Sequence, residues 1–288
     1  MQNLYRKFHH KHSLGQNFII DEFLLEDIAD ESKITKDDFV LEIGPGNGAL
    51  TRCLLDRSKY VVAVEIDKSL ISLLKDNLKV YNNISIINAN FLNHDFNNIV
   101  SEFSNHGFDK YTNHIKVVAN LPYYITSPII KSLLLNPYID EMTLMVQKEV
   151  AERIVAMPAS KNYGILTLAC NFFASTKLIM IVSKKCFEPM PKVDSAVVHF
   201  IKHKKYTDLN DNKNFYIEDD INYKKVFHII KASFSQRRKK LANSLSNMIN
   251  CDKAYLIDIL KKLNFEENVR AEDLSLEDYK KLSDLLSI

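Results

Sequence analysis

The chain has 288 residues, 46% of them hydrophobic and 26% charged, with a net charge of +2. That length allows one sizeable core and a second small unit, and the composition is ordinary for a soluble globular protein. No apolar run reaches the roughly 20 residues of a membrane span. The start, MQNLYRKFHHKHSLGQNF, has no apolar stretch behind its basic residues, which argues against a secretory signal. A mitochondrial address stays open, although an amphipathic, Ser-rich presequence is lacking. Cys53, Cys170, Cys186 and Cys251 are scattered without a CxxC pair, so neither zinc nor a disulfide framework is expected. Reduced thiols, a cytoplasmic location and no metal site are the expectation.

In chain order, FVLEI (39–43), YVVAV (60–64), ISII (84–87), KVVA (116–119) and MTLMV (142–146) read as short strands apolar on both faces. Amphipathic stretches lie between them, such as DKSLISLLKDNL (67–78), with Leu70, Leu73 and Leu74 on one side. Doubly buried strands alternating with helices predict a mostly parallel α/β sheet covered on both faces. LIMIVS (178–183) and SAVVHFI (195–201) add strands, read as an antiparallel pair across a Pro-containing loop. After Ile201 a polar stretch reads as a linker, and three helical stretches follow to the end. The expected division is 1–203 for the sheet with an N-terminal arm, and 204–288 for linker and a small helical domain.

Cations gather locally. Arg6, Lys7 and Lys11 precede the first acid, Asp21, and QRRKK brings Arg237, Arg238, Lys239 and Lys240 together. Such patches on a near-neutral chain suit a polyanion, and either alone reads equally as a solvated face.

VLEIGPGNGALT (40–51) sets Gly44, Gly46 and Gly48 after a strand and before a helix. Glycines there let backbone turn sharply against a ligand. The spacing is G-x-G-x-G rather than the dinucleotide G-x-G-x-x-G, and no Walker lysine follows. Glu65 ends the next strand, where an acid takes the two hydroxyls of a ribose, and Ile66 follows it. Asn90, with Phe91 behind it, ends the third strand where adenine is expected. Three polar groups at successive strand ends make an adenosine-shaped site. Glu42, just before the glycines, either orders the loop or serves a helix N-terminus.

The fourth strand ends in VVANLPYYITSP (117–128). A nucleobase amine is a poor nucleophile because its lone pair is delocalised into the ring. A site that accepts hydrogen bonds from both N–H groups drives that nitrogen toward tetrahedral geometry. The Asn120 side-chain oxygen supplies one acceptor, and the Leu121 carbonyl, turned inward by rigid Pro122, supplies the other. Tyr123 then stacks on the base, worth ~1–3 kcal/mol by analogy with single-strand binders. No general base is needed, since a nitrogen that bonds to an electrophilic carbon becomes cationic and carries an acidic proton that water can take. Phe187, in the stiff CFEPMPKVDSAV (186–197), either covers the other face of the base or packs in the core.

Together these motifs resemble class I S-adenosylmethionine-dependent methyltransferases, and among them the ribosomal RNA adenine N6,N6-dimethyltransferases of the KsgA type. The likeness runs from HSLGQNFIID (12–21) through EIGPGNGALT, NLPYYITSPII and FEPMPKVDSAV to FSQRRKKLANSL and RAEDLSLEDY (270–279). It implies a Rossmann-like sheet and S-adenosyl-L-methionine as cofactor. The implied activity is dimethylation of two adjacent adenosines in the 3′-terminal hairpin of small-subunit rRNA. The implied partner is the immature small subunit, met by a monomer with no membrane involved. Asn17 and Ile19 are implied to reach the cofactor from the arm, Glu42 its amino-acid end, and Asn120 is implied to line the cofactor site as well as the catalytic turn. The family usually has Asp where Asn90 stands, so weakened rather than lost adenine binding is expected. Erm-type enzymes acting on large-subunit rRNA share the glycine loop and the NLPY turn, and a ribosome-assembly role with methylation secondary also stays open.

Overall fold

The computed structural model describes residues 16–203 and 221–286. Numbered along the chain, its strands are β1 (Phe18–Ile19), β2 (Phe39–Ile43), β3 (Tyr60–Glu65), β4 (Ile84–Asn88), β5 (Ile115–Asn120), β6 (Ile139–Gln147), β7 (Ala174–Val182), β8 (Phe187–Glu188) and β9 (Ser195–Lys202). Seven of them form one sheet in the order β4-β3-β2-β5-β6-β9-β7, while β1 and β8 pair apart as a two-residue antiparallel ribbon.

The pairs from β4 to β6 are all parallel, and β9 runs antiparallel to both β6 and β7. Every residue of β2 and of β3 is buried, the signature of strands covered on both faces. The crossovers are the helices α2 (Ala49–Leu55), α3 (Lys68–Asn77), α4 (Phe96–Ser104) and α5 (Thr126–Leu135); α1 (Glu22–Glu31) precedes the sheet. Asp67 and Asp95 cap α3 and α4 by accepting hydrogen bonds from the N–H groups of Ser69 and Asn97. From β2 the chain winds outward to β3 and β4, then returns to β5 on the opposite side. That reversal leaves a crevice beyond the carboxyl ends of β2 and β5, where ligands bind in open α/β sheets.

The anticipated strands all form, several of them longer than expected, as with β6 at 139–147 and β7 at 174–182. Their outer ends are polar and carry no periodic signal. Helices α6 (Lys148–Ile154) and α7 (Ile165–Phe173) link β6 to β7. Beyond the sheet come α8 (Ile221–Phe234), α9 (Leu241–Ile249), α10 (Lys253–Lys262) and α11 (Leu276–Leu285). Their apolar faces do not close on themselves. Val226, Ile230, Leu245, Leu260 and Leu282 belong to the same buried cluster as Leu41, Val117 and Val198 of the sheet. Tyr163 completes the join by donating its hydroxyl to Leu274 O at 2.9 Å. No helix among the described residues is long and apolar enough to cross a membrane.

Candidate active site

The crevice is built first by glycines. Gly44 and Gly46 hold φ of +70° and +61°, in the left-handed region where a Cβ is strained. Gly44 N donates to Val64 O at 2.9 Å, locking the loop to β3. A Cβ on Gly44 would meet nothing within 4 Å, so the space beside it is open to a ligand. A Cβ on Gly46 would lie 2.7 Å from the Phe18 ring, so the N-terminal segment closes directly over the loop. Gly48 does not line the crevice. With φ of +83° it caps α2, against Leu74 and Leu78.

Two acids face the loop. Glu65, at the end of β3, accepts from Gly46 N at 3.2 Å and from Asp67 N at 2.7 Å. Burial raises its carboxyl pKa, and those N–H groups oppose the rise. Glu42 is fully buried, and burial pushes it up to about 8, with the Thr51 hydroxyl favouring ionisation and the charge of Glu65 opposing it. Its Oε2 has no hydrogen-bond partner among the described residues. A buried carboxyl oxygen left unpaired in a ligand crevice suits a cationic group, which would favour its ionised form and supply a hydrogen bond.

At the third strand end, Asn90 caps a short helical turn. Its Oδ1 accepts from Leu92 N at 3.1 Å, while Phe91 is buried beneath it. Ile66 is half exposed on the same wall.

At the fourth, Asn120 donates from Nδ2 to the backbone oxygen of Asn17 at 3.1 Å. That oxygen can only accept, so the amide is oriented: nitrogen toward the N-terminal segment, and Oδ1 left as an acceptor. Leu121 N donates to Met145 O at 3.0 Å, and Leu121 O accepts no hydrogen bond among the described residues. The next carbonyl, that of Pro122, is already taken by Thr126 Oγ1 at 3.0 Å and Ile125 N at 3.3 Å. The turn therefore offers two oxygens, Asn120 Oδ1 and Leu121 O. Tyr123 stands beside them, half-buried, with its hydroxyl 2.8 Å from Ser195 Oγ.

Asn17, Ile19, Glu42, Gly44, Gly46, Glu65, Ile66, Asn90, Phe91 and the 120–123 turn thus line one crevice. Phe187 does not join them. It is 3% exposed and packs in the apolar cluster with Ile19, Leu24 and Val182, held there by the pairing of β8 with β1. Its core reading, rather than a cover over a base, is the one the packing follows. Arg6, Lys7 and Lys11 lie outside the described residues. In QRRKK the cations divide. Arg237 pairs with Glu272 at 2.9 Å, and Lys240 pairs with Glu267 at 3.1 Å. Arg238 and Lys239 are exposed and have no ion-pair partner among the described residues.

Three contributors escape a reading of the sequence. Phe18 covers Gly46, Gln16 Nε2 donates to Asp67 at 2.9 Å, and Ser195 holds Tyr123. Only Ser195 leaves a trace: a hydroxyl opening a strand whose next three residues are apolar.

Strand order, glycine loop and the acids at successive strand ends define a class I methyltransferase. A structure described as a dimethyladenosine transferase from Plasmodium falciparum superposes with a TM-score of 0.74 at 27% identity, covering 92% of this chain and 95% of that one. The 23S rRNA methyltransferase ErmE shares the fold with a TM-score of 0.68 at 24% identity, over 94% of this chain and all of its own. A protein of Lachnoclostridium phytofermentans named ribosomal RNA small subunit methyltransferase A is 44% identical over 99% of this chain and 93% of its own length. The family model described as ribosomal RNA adenine dimethylase matches residues 7–287, and the chain belongs to that family.

Proposed function

We propose that this enzyme transfers methyl groups from S-adenosyl-L-methionine to N6 of two adjacent adenosines in the 3′-terminal hairpin of small-subunit rRNA, forming N6,N6-dimethyladenosine during small-subunit maturation. The observation that carries the proposal is the fixed orientation of Asn120, whose oxygen stands beside the unpaired carbonyl of Leu121. Two acceptors at one turn match the two hydrogens of an exocyclic amine, and they disfavour a base lacking them, because buried acceptors left unpaired are costly.

The residues present fit the cofactor. Glu65 takes the ribose hydroxyls, the backbone at Gly44 gives close approach, and the unpaired Glu42 Oε2 suits the ammonium group. Asn90 lies at the adenine edge, and Asn17 and Ile19 close the crevice from the N-terminal side. When bound, S-adenosyl-L-methionine supplies an electrophilic methyl carbon. Asn120 Oδ1 and Leu121 O hold the target amine so that its lone pair is released from the ring and aimed at that carbon. Tyr123 sets the plane of the base by stacking. With the cofactor bound, the amine nitrogen would take the methyl as the sulfur–carbon bond breaks, leaving S-adenosylhomocysteine, and would lose a proton to water, so no side-chain base is required. Alignment and fixed dipoles carry the catalysis.

The small-subunit substrate is supported by the names of relatives at 40–44% identity, against 24% for the large-subunit enzyme. Exposed Arg238 and Lys239, with the cations of the first 15 residues, are the proposed phosphate contacts. A monomer working in the cytoplasm, where small subunits mature, belongs to the same proposal. Incubating unmodified small subunits with methyl-labelled S-adenosylmethionine, then mapping the label, tests it. Label on two adjacent adenosines near the 3′ end is expected, and label on large-subunit rRNA would overturn it. Asn120→Ala should abolish transfer while sparing docking on the particle.

A further inference from the structure

With the function above as premise, we propose that Ser195 is a positioning residue for methyl transfer, its hydroxyl fixing the plane of the Tyr123 ring against which the target adenine stacks. Ser195 is 0% exposed and opens β9. A buried hydroxyl costs free energy unless it is bonded, and an alanine would fill this position without that cost. Its Oγ lies 2.8 Å from the Tyr123 hydroxyl. A tyrosine ring at the end of a turn swings about two side-chain torsions until its tip is held, and this bond holds it.

The holder is itself immobile. Ser195 pairs in register with Gln147 of β6 on one side and Val182 of β7 on the other. The preceding Asp194 accepts from Lys148 N through its backbone oxygen at 3.0 Å, and from Lys184 N through its carboxylate at 3.0 Å. The Asp194–Ser195 pair therefore ties three places together: the end of β6, the end of β7 and the catalytic turn after β5. A target base lying on Tyr123 inherits this reference frame, and with it the placement of its amine against Asn120 Oδ1 and Leu121 O. Reacting groups displaced by even about 1 Å lose up to two orders of magnitude in rate.

Ser195→Ala and Tyr123→Phe delete the same bond from opposite ends, and the second keeps the ring. Each is expected to lower kcat for rRNA about tenfold with S-adenosylhomocysteine affinity unchanged. The double variant should be no slower than either single one, because one bond cannot be lost twice. The split between kcat and KM supplies a second readout: KM for the hairpin should stay near the wild-type value in both single variants, because the lost alignment acts at the reacting nitrogen and not in docking. Unchanged kcat in Ser195→Ala, additive losses in the double variant, or a loss confined to KM would each overturn the inference. A purely structural serine would lower the melting temperature and move none of these. Wild-type protein that methylates no rRNA adenine would instead bring down the proposed function itself.

Discussion

Arg237 sits in a basic cluster that reads as an RNA contact, yet its guanidinium is bonded back onto the protein. Replacing it with alanine removes the ion pair to Glu272 (2.9 Å) and the hydrogen bonds from Nη2 to the backbone oxygens of Lys161 (2.6 Å) and Tyr163 (3.2 Å). The Arg237 side chain is 47% exposed, so the ion pair contributes at most about 1 kcal/mol. The two bonds to carbonyls, one of them long, add roughly another 1 kcal/mol. Arg237→Ala should therefore destabilise the fold by about 1–2 kcal/mol, lowering the melting temperature by about 2–4 °C in a chain of this size. Each phosphate contact contributes about 0.9 to the slope of log affinity against log salt. Arg237→Ala should leave the slope of rRNA binding unchanged, whereas Arg238→Ala should reduce it by about 0.9 and leave the melting temperature alone. Thermal denaturation and binding at several salt concentrations read both quantities. An Arg237→Ala protein with wild-type melting and a flattened slope would refute the assignment of Arg237 as a structural pin.

Glu42, pushed up to about 8, is mostly protonated at neutral pH. An arriving ammonium group favours its ionised form, so S-adenosylhomocysteine affinity should rise as pH climbs to about 8, with a proton released near pH 7. Calorimetry in buffers of different ionisation enthalpy measures that proton, and Glu42→Gln should eliminate it. Gly46→Ala forces a Cβ to 2.7 Å from the Phe18 ring at a φ of +61°, so a stability loss of about 1–3 kcal/mol is expected by chemical denaturation. Gly44→Ala, with nothing within 4 Å, should fold with only the backbone strain and lose cofactor affinity instead. Asn90→Asp supplies a second acceptor while the first still caps Leu92 N, so S-adenosylhomocysteine should bind several-fold tighter, and unchanged binding would contradict the adenine-edge position.

Most of the site is legible in the sequence because strand ends carry it. Once FVLEI and VVAVEID are recognised as buried parallel strands, Glu65 and the glycines must fall at one edge of the sheet, and the same reasoning delivers Asn90 and Asn120. The illegible parts depend on contacts distant in the chain. Asn17 fixes Asn120 across 103 positions, and Ser195 meets Tyr123 across 72. No local pattern encodes either distance. Phe187 shows the limit from the other side: an aromatic beside two prolines suits a base-covering loop and a core position equally, and only its pairing opposite Ile19 decides. Charge is ambiguous for a similar reason. QRRKK looks like one patch, but Glu272 and Glu267, 35 and 27 residues away, neutralise two of its cations. The helical tail is legible as helices, while the continuity of its core with the sheet is not, because amphipathic spacing names a buried face without naming what buries it.

The most direct test is a structure of the enzyme holding S-adenosylhomocysteine and the small-subunit hairpin together. An extruded adenine with its amine within about 3.2 Å of both Asn120 Oδ1 and Leu121 O, its ring against Tyr123, is the expected result. An amine bonded elsewhere, with those two oxygens turned away from the cofactor's sulfur, would contradict it.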